Sequence, residues 1–209
     1  MTTGLQASLF DAGTDEPALA PLRTAVRRTD LSDGAWVDFR PGWMQGSVDV
    51  FDTLHTSVPW RAEERRMYDT TLPVPRLMAH YLQEDALPHR LLDDARDALS
   101  DHYGDVLPGG FATAGLCLYR DGADSVAWHG DRIGRGRSHD TLVAILSLGA
   151  PRPLLLRPRG GGPSRKFVLG SGDLLVMGGS CQRTWDHAVP KVHGAGPRIS
   201  VQFRPAGVW

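Results

Sequence analysis

Residues 140–158, DTLVAILSLGAPRPLLLRP, contain two apolar runs separated by glycine and proline. The first run, residues 142–146, is apolar at every position, which is typical of a strand covered on both faces. Glycine and proline between the runs indicate a turn, not a continuous helix. The stretch therefore predicts two strands, over residues 140–148 and 153–157.

Similar short segments divided by glycine and proline lie on both sides of this stretch. They predict further strands over residues 35–39, 115–119, 166–169, 173–177 and 198–203. Apolar residues at helical spacing predict helices over residues 46–57, 75–82 and 91–103. Many short strands without long helices between them indicate a sandwich or barrel. We therefore expect a mostly β chain with flanking helices, in the α+β class.

Composition narrows the range of functions. The chain has 209 residues and a formal net charge of −1, so any contact with nucleic acid must come from local basic clusters. Its two cysteines, Cys117 and Cys181, lack zinc-finger spacing and argue against a disulfide scaffold. No apolar run approaches the roughly 18 residues that a membrane span needs. We expect a cytoplasmic, monomeric protein with one catalytic domain and no membrane partner.

Three polar side chains could together hold a metal ion. His129 and Asp131, in WHGD, are two residues apart and would project to the same side of a strand. His187, in WDHAVPK, could supply a third ligand from a distant strand. Asp186 is an alternative carboxylate, but neighbours on a strand point to opposite faces. Two imidazoles and one carboxylate are typical of non-haem iron(II) oxygenases.

A second polar pattern follows in PRISVQFR, residues 197–204. Its alternation predicts one polar and one apolar strand face; the polar face consists of Arg198, Ser200, Gln202 and Arg204. Two guanidinium groups would then lie on the same side of one strand. A solvated surface is the alternative interpretation of this pair.

In combination these motifs resemble the AlkB family of iron(II) and 2-oxoglutarate dependent dioxygenases, which remove alkyl groups from nucleic-acid bases. The matching stretches are LYRDGADSVAWHGD, SLGAPRPLLLRP, GDLLVMGGSCQRTWDHAVPK and RISVQFR. The resemblance implies a double-stranded β-helix, or jelly-roll, catalytic core in residues 111–209. A nucleotide-recognition extension with a lid and supporting helices would occupy residues 31–110, after a flexible tail in residues 1–30.

The resemblance also implies the cofactors Fe(II) and O2 and the co-substrate 2-oxoglutarate. His129, Asp131 and His187 would hold the iron. Residues assigned to 2-oxoglutarate are Tyr119, Arg198, Arg204, Cys117 and Ser200. Arg198 would pair with the far carboxylate, and Arg204 would lie near the iron-bound end. Cys117 stands where the family usually has asparagine, and a thiol is a weaker donor.

The implied reaction is oxidative demethylation of N-alkylated bases, such as 1-methyladenine and 3-methylcytosine, in DNA, with RNA as a further candidate. Substrate-binding candidates are Trp60, Arg66, Met67, Tyr68, Arg132 and Arg183. Trp60 and Tyr68 would stack on a flipped base, and Arg65 or Arg66 would contact phosphate. Several family members carry acidic base-reading groups where this chain has Arg132, Ile133 and Gly134. The alternative is an oxygenase on the same scaffold that acts on a small molecule or a protein.

Overall fold

The computed structural model describes residues 16–23, 25–67, 70–130 and 138–208, with the side chains of all except 64–67 and 70–73. The strands are β1 (Ala18–Leu19), β2 (Arg27–Asp30), β3 (Ala35–Arg40), β4 (Met44–Gln45), β5 (Arg61–Met67), β6 (Thr70–Tyr81), β7 (Thr113–Tyr119), β8 (Val126–His129), β9 (Val143–Gly149), β10 (Arg152–Pro158), β11 (Arg165–Leu169), β12 (Asp173–Gly179), β13 (Trp185–Val189) and β14 (Arg198–Arg204). The helices are α1 (Ser47–Ser57), α2 (Arg90–His102) and α3 (Cys181–Thr184), with a 3-10 turn at Ser32–Gly34.

Two antiparallel sheets form the body of the described chain. The major sheet has eight strands in the order β2-β3-β12-β9-β14-β7-β6-β5, and the minor sheet has four in the order β11-β10-β13-β8. The sheets share an inner core to which the major sheet contributes Val143, Leu175 and Met177 and the minor sheet Leu154 and Leu156. This mostly β sandwich confirms the predicted jelly-roll fold.

A second core lies on the outer face of the major sheet. Its members from α1 and α2 include Leu54, Leu92 and Leu99, and those from the sheet include Leu116, Leu146 and Phe203. Central strands of the major sheet are therefore buried on both faces, and β9 is buried at each position from 143 to 148. This double burial explains why the run at residues 142–146 is apolar throughout.

Two predictions about the N-terminal half are wrong. Residues 75–82 were predicted as a helix, but 70–81 form β6, which pairs with both β5 and β7. Residues 27–30 were assigned to the flexible tail, but they form β2 at the edge of the major sheet. Short apolar runs do not distinguish helix from strand by spacing alone, and pairing with neighbouring strands decided both cases.

The predicted extension and core share one sheet. The strands β3, β5 and β6 precede residue 111, yet they lie in the same major sheet as β7, β9 and β14. Within the described ranges, no helix combines the length and apolar character needed to cross a membrane.

The loops after β7 and β13 pack tightly against each other. The Val192 amide donates a hydrogen bond of 2.9 Å to the Gly122 carbonyl. A Cβ atom built on Gly122 would lie 1.7 Å from the Val192 carbonyl oxygen, so a side chain there would force the loops apart.

We expect Gly122→Ala to lower the free energy of unfolding by about 1–3 kcal/mol, the usual cost of overpacking. Denaturant titration would measure this loss. Gly160→Ala is the matched control, because a Cβ at Gly160 meets no atom of the described residues within 4 Å. Equal losses in the two variants would contradict the clash.

Candidate active site

The polar face of β14 points into the space between the two sheets, and its side chains share one face as the alternation predicts. Arg198 pairs with Tyr119 and Ser200 with Cys117 across the β14–β7 ladder, so these four side chains share one face. Ile199, Val201 and Phe203 are fully buried in the outer core. Burial on this inner face, 2% exposure for Arg198 and 3% for Ser200, excludes the solvated-surface interpretation.

Two histidines meet on the minor sheet. His187 on β13 pairs directly with His129 on β8, and their ring centroids are 4.2 Å apart. The Nδ1 atom of His129 lies 2.9 Å from the Ala127 carbonyl oxygen. If Nδ1 donates this bond, the lone pair stays on Nε2, the nitrogen that a metal would use. The pair can therefore supply two ligands to one ion.

The third predicted ligand, Asp131, lies outside the described residues, as does Arg132. Within the residues that are described, no group of three histidine, cysteine or acidic side chains could hold a metal. Asp131 as the carboxylate ligand therefore stays a prediction. Asp186, the alternative, precedes His187 on β13 and so projects to the opposite face of the minor sheet.

Arg198 is a buried cation with unused hydrogen-bonding capacity. Its Nε donates to the Ser147 hydroxyl at 2.8 Å, and its guanidinium carbon lies 5.2 Å from the centre of the Tyr119 ring. Its buried Nη1 has no hydrogen-bond partner among the described residues. Burial lowers the pKa of Arg198, with Tyr119 opposing that effect. A carboxylate bound here would supply both the missing acceptor and the missing charge.

Tyr119 complements this cation. The side chain is 2% exposed, and burial, assisted by nearby Cys117, raises the pKa of Tyr119 to about 12. The phenol therefore stays protonated at neutral pH and can donate to a carboxylate. Arg198 and Tyr119 together could hold an anion on the inner face.

Cys117 and Ser200, both predicted to contact 2-oxoglutarate, bond to Gln202. The Gln202 amide donates to the Ser200 hydroxyl oxygen at 2.7 Å, and its carbonyl oxygen accepts from the Cys117 thiol at 3.7 Å. In this arrangement the thiol is directed at Gln202. Cys117 and Ser200 thus fix the amide group that lies between Arg198 and Arg204 along the strand.

The guanidinium group of Arg204 lies close to Gly115 on the neighbouring strand. A Cβ built on Gly115 would lie 3.2 Å from Arg204 Nη1 and 3.4 Å from the Gln202 side-chain oxygen. Gly115 pairs with Gln202, two residues before Arg204 on β14, so the Arg204 guanidinium is displaced toward Arg198. Two cations on one strand face suit the two carboxylates of one ligand.

We expect Gly115→Ala to raise the KM for 2-oxoglutarate by roughly 3- to 10-fold, equivalent to about 1 kcal/mol of binding. The added methyl group would push the Arg204 guanidinium aside while leaving the fold intact. Initial rates at varied 2-oxoglutarate would measure the change. Gly109→Ala, where a Cβ meets nothing within 4 Å of the described residues, is the control. A KM that changes equally in both variants would exclude this effect.

Comparison with known proteins decides the family. The profile described as the 2OG-Fe(II) oxygenase superfamily matches residues 44–204. This chain belongs to that superfamily. Its relatives include "Alpha-ketoglutarate-dependent dioxygenase alkB homolog 3" from Bos taurus and Homo sapiens, each 31% identical over 92% of this chain and 70% of the relative. "DNA oxidative demethylase ALKBH2" from Arabidopsis thaliana is 27% identical over 88% of this chain and 70% of that protein.

Solved structures share the fold of this oxygenase. OsALKBH1 matches with a TM-score of 0.59 and 15% identity, over 86% of this chain and 100% of that one. A 2OG-Fe(II) oxygenase family oxidoreductase from Burkholderia pseudomallei matches with a TM-score of 0.58 and 13% identity, over 80% and 84% of the two chains. The protein is an Fe(II)/2-oxoglutarate dioxygenase of the AlkB family, and its cofactors are Fe(II), 2-oxoglutarate and O2.

Among the substrate-binding candidates of this dioxygenase, Trp60 lies on the side of the outer core. Its indole N–H donates to the His55 carbonyl at 3.2 Å, and the ring packs against the outer core. That core is on the opposite face of the major sheet from the histidines. Tyr68 lies outside the described residues, and so do the side chains of Arg66 and Met67.

Arg183 has a structural partner that the sequence did not reveal. Its guanidinium forms an ion pair with Asp140, and its backbone carbonyl accepts from Arg159 Nη1 at 3.1 Å. These contacts tie α3 to the segment before β9 and to the end of β10. The buried Nε of Arg183 has no hydrogen-bond partner among the described residues, so its role toward a substrate stays a prediction.

Two buried arginines were missed as members of this dioxygenase site. Arg76 on β6 is 9% exposed, and its Nε has no hydrogen-bond partner within the described part of the chain. Burial opposes its charge, but Cys117 and Tyr119 hold the pKa of Arg76 above its ordinary value. Arg152 at the start of β10 is 1% exposed. A charged residue on the buried face of an alternating strand is the signal that could have identified Arg152.

Proposed function

We propose that this dioxygenase oxidatively demethylates N-alkylated bases of the 1-methyladenine and 3-methylcytosine type in DNA, and also in RNA, and so repairs alkylation damage. The observation that carries the proposal is the contact of His129 and His187 opposite a sheet face on which Arg198 and Tyr119 lie together, where they could hold a carboxylate. Similarity to AlkB homologues over most of the chain supports nucleic acid as the substrate class.

In this proposal the chain binds and orients the reactants. His129, Asp131 and His187 would hold iron, Arg198 and Tyr119 the far carboxylate of 2-oxoglutarate, and Arg204 its other end. Iron with 2-oxoglutarate supplies the oxidation of the N-methyl carbon by dioxygen, which yields succinate, carbon dioxide and formaldehyde. The protein's part is to hold the alkyl carbon close to the metal and to exclude water. A base within a duplex would have to be flipped out of the stack first.

A second candidate is an oxygenase that acts on a small molecule or a protein. Two observations favour it: Trp60 is occupied in the outer core, and Arg183 is paired with Asp140. Both residues therefore have contacts within the protein that the sequence did not predict. Such an enzyme would consume 2-oxoglutarate but leave alkylated oligonucleotides unchanged.

The test is demethylation of an oligonucleotide that carries one 1-methyladenine or 3-methylcytosine, with iron(II), ascorbate and 2-oxoglutarate. We expect mass spectrometry to show loss of one methyl group with release of formaldehyde. His129→Ala should be inactive, whereas His139→Ala, at an exposed position outside the site, should retain activity. If 2-oxoglutarate is consumed while the oligonucleotide keeps its methyl group, the second candidate is favoured. The absence of both reactions would contradict the enzyme assignment.

A further inference from the structure

The ladder between the two histidine strands is irregular. β8 and β13 pair at His129 with His187 and at Val126 with Val189, and the register shifts between these two pairs. A regular ladder would fix the spacing of facing residues by its backbone hydrogen bonds. The histidines are therefore one ladder pair with an irregularity directly beside it, and a constraint from outside the ladder can adjust their geometry.

One buried side chain joins the two loops that flank these strands. Arg152 donates from Nη1 to the Asp121 carbonyl at 3.0 Å and from Nη2 to the Asp124 carbonyl at 2.7 Å. Its Nη2 also donates to the Pro190 carbonyl at 2.8 Å. The first two acceptors lie in the loop that leads into β8. Pro190 directly follows β13, so one guanidinium group holds the start of one histidine strand and the end of the other.

The loop before β8 is rigid enough to transmit this constraint. The Asp124 carboxylate accepts from the backbone N–H of Arg120 at 2.8 Å and from its guanidinium at 2.9 and 2.8 Å. The Ser125 amide donates to the Pro75 carbonyl at 3.0 Å, and the Val192 amide donates to the Gly122 carbonyl. His129 is only five residues beyond Asp124, and His187 is three residues before Pro190.

The environment of Arg152 argues against a purely stabilising role. Within the described residues, its hydrogen bonds go to three backbone carbonyls and none goes to a carboxylate, and its buried Nε has no partner. Burial lowers the pKa of Arg152. A buried charge without a directly bonded acid costs more than an apolar side chain of similar volume. Geometry is what the guanidinium provides, because its planar fork can reach three acceptors in two separate loops.

We propose that Arg152 is a positioning residue that sets the separation of His129 and His187 by clamping the loops at Asp121–Asp124 and Pro190. The inference rests on the proposed metal-binding role of the two histidines. Arg152 itself contacts neither the metal nor the substrate in this scheme. Partners that orient metal ligands typically change metal affinity by roughly 10- to 100-fold, which sets the size of effect expected here.

The test measures cobalt(II) binding to the full chain by its visible absorption, in the absence of 2-oxoglutarate. We expect Arg152→Met to raise the Kd for cobalt(II) by about 10-fold or more and to change the absorption bands, because the ligands are no longer held in one geometry. Arg152→Lys keeps the charge but has one nitrogen for three acceptors, so an intermediate rise is expected. If Arg152→Met fails to fold, Arg152→Lys still tests the proposal, because it removes hydrogen bonds to the two loops and keeps the charge.

A matched control separates positioning from general destabilisation. Arg28 forms a two-bond pair with buried Asp38, with both nitrogen–oxygen distances 2.8 Å, on the outer face of the major sheet. Arg28→Met should lower stability while leaving the Kd for cobalt(II) unchanged. If both Arg152 variants bind cobalt(II) like the unmutated protein, the positioning role is wrong. If the unmutated protein binds no cobalt(II), it is the proposed metal site that fails.

Discussion

His187→Ala is expected to remove metal binding and to reduce turnover of 2-oxoglutarate by more than 100-fold. Mutating a residue that only orients a metal ligand typically reduces metal affinity or activity by roughly 10- to 100-fold. The loss expected here is larger, because His187→Ala would remove a metal ligand itself. His187 is 9% exposed and faces His129 at a ring distance of 4.2 Å, so both imidazoles are placed to bind the same ion. Cobalt(II) titration and succinate release would measure the two losses.

The control for this prediction is His193→Ala, which removes an exposed histidine from the loop after β13. It should bind metal and turn over like the unmutated protein. A melting temperature measured without metal would show whether His187→Ala is folded. A folded His187→Ala protein that binds cobalt(II) with undiminished affinity would contradict the metal site proposed here.

Arg198→Met is expected to abolish productive 2-oxoglutarate binding while leaving the fold stable. The KM should rise by about 100-fold or more, equivalent to roughly 3 kcal/mol, because charge-assisted hydrogen bonds to a carboxylate would be lost in a buried site. The buried Nη1 of Arg198 has no partner in the described residues, so the ligand-free protein gains little from this charge. Replacing such a cation with methionine should change the free energy of unfolding by no more than about 1 kcal/mol.

Thermal melting with and without 2-oxoglutarate would separate these two effects. The unmutated protein should melt at higher temperature with the co-substrate, since a ligand that binds only the folded state stabilises it. Arg198→Met should show no such shift, and Arg165→Met, at an exposed position on β11, should retain it. If 2-oxoglutarate raises the melting temperature of Arg198→Met as much as that of the unmutated protein, Arg198 does not bind the far carboxylate.

Much of the fold follows from local patterns. Two strands were recognisable from how apolar residues are spaced. A strand buried on both faces is apolar at every position, as in residues 142–146, and a strand with one polar face alternates, as in residues 198–204. The alternation also identified which side chains of β14 share a face, since successive strand residues point to opposite faces whatever the partners are. The helices over 47–57 and 90–102 were recognisable for the same reason, from an apolar stripe at helical spacing.

Other assignments failed where a segment's own pattern is ambiguous. Residues 75–82 place apolar side chains at spacings that suit a helix, but the segment lies between β5 and β7, and both of its edges pair with a neighbouring strand. The N-terminal boundary failed because the short strand Arg27–Asp30 has almost no apolar pattern and is held by pairing with β3. In both segments the structure is determined by pairing with another strand, and the sequence of the segment alone does not reveal that partner.

For the site, the sequence by itself determined which side chains could do the chemistry: His129, Asp131, His187 and the inward cations of β14. Tertiary structure alone decided that His129 and His187, separated by 57 intervening residues, face each other across one ladder. It also decided that Arg152 bonds to carbonyls 28 to 38 residues away. Backbone carbonyls are the same in every residue type, so a clamp built on them leaves no trace in the sequence of the loops that it holds.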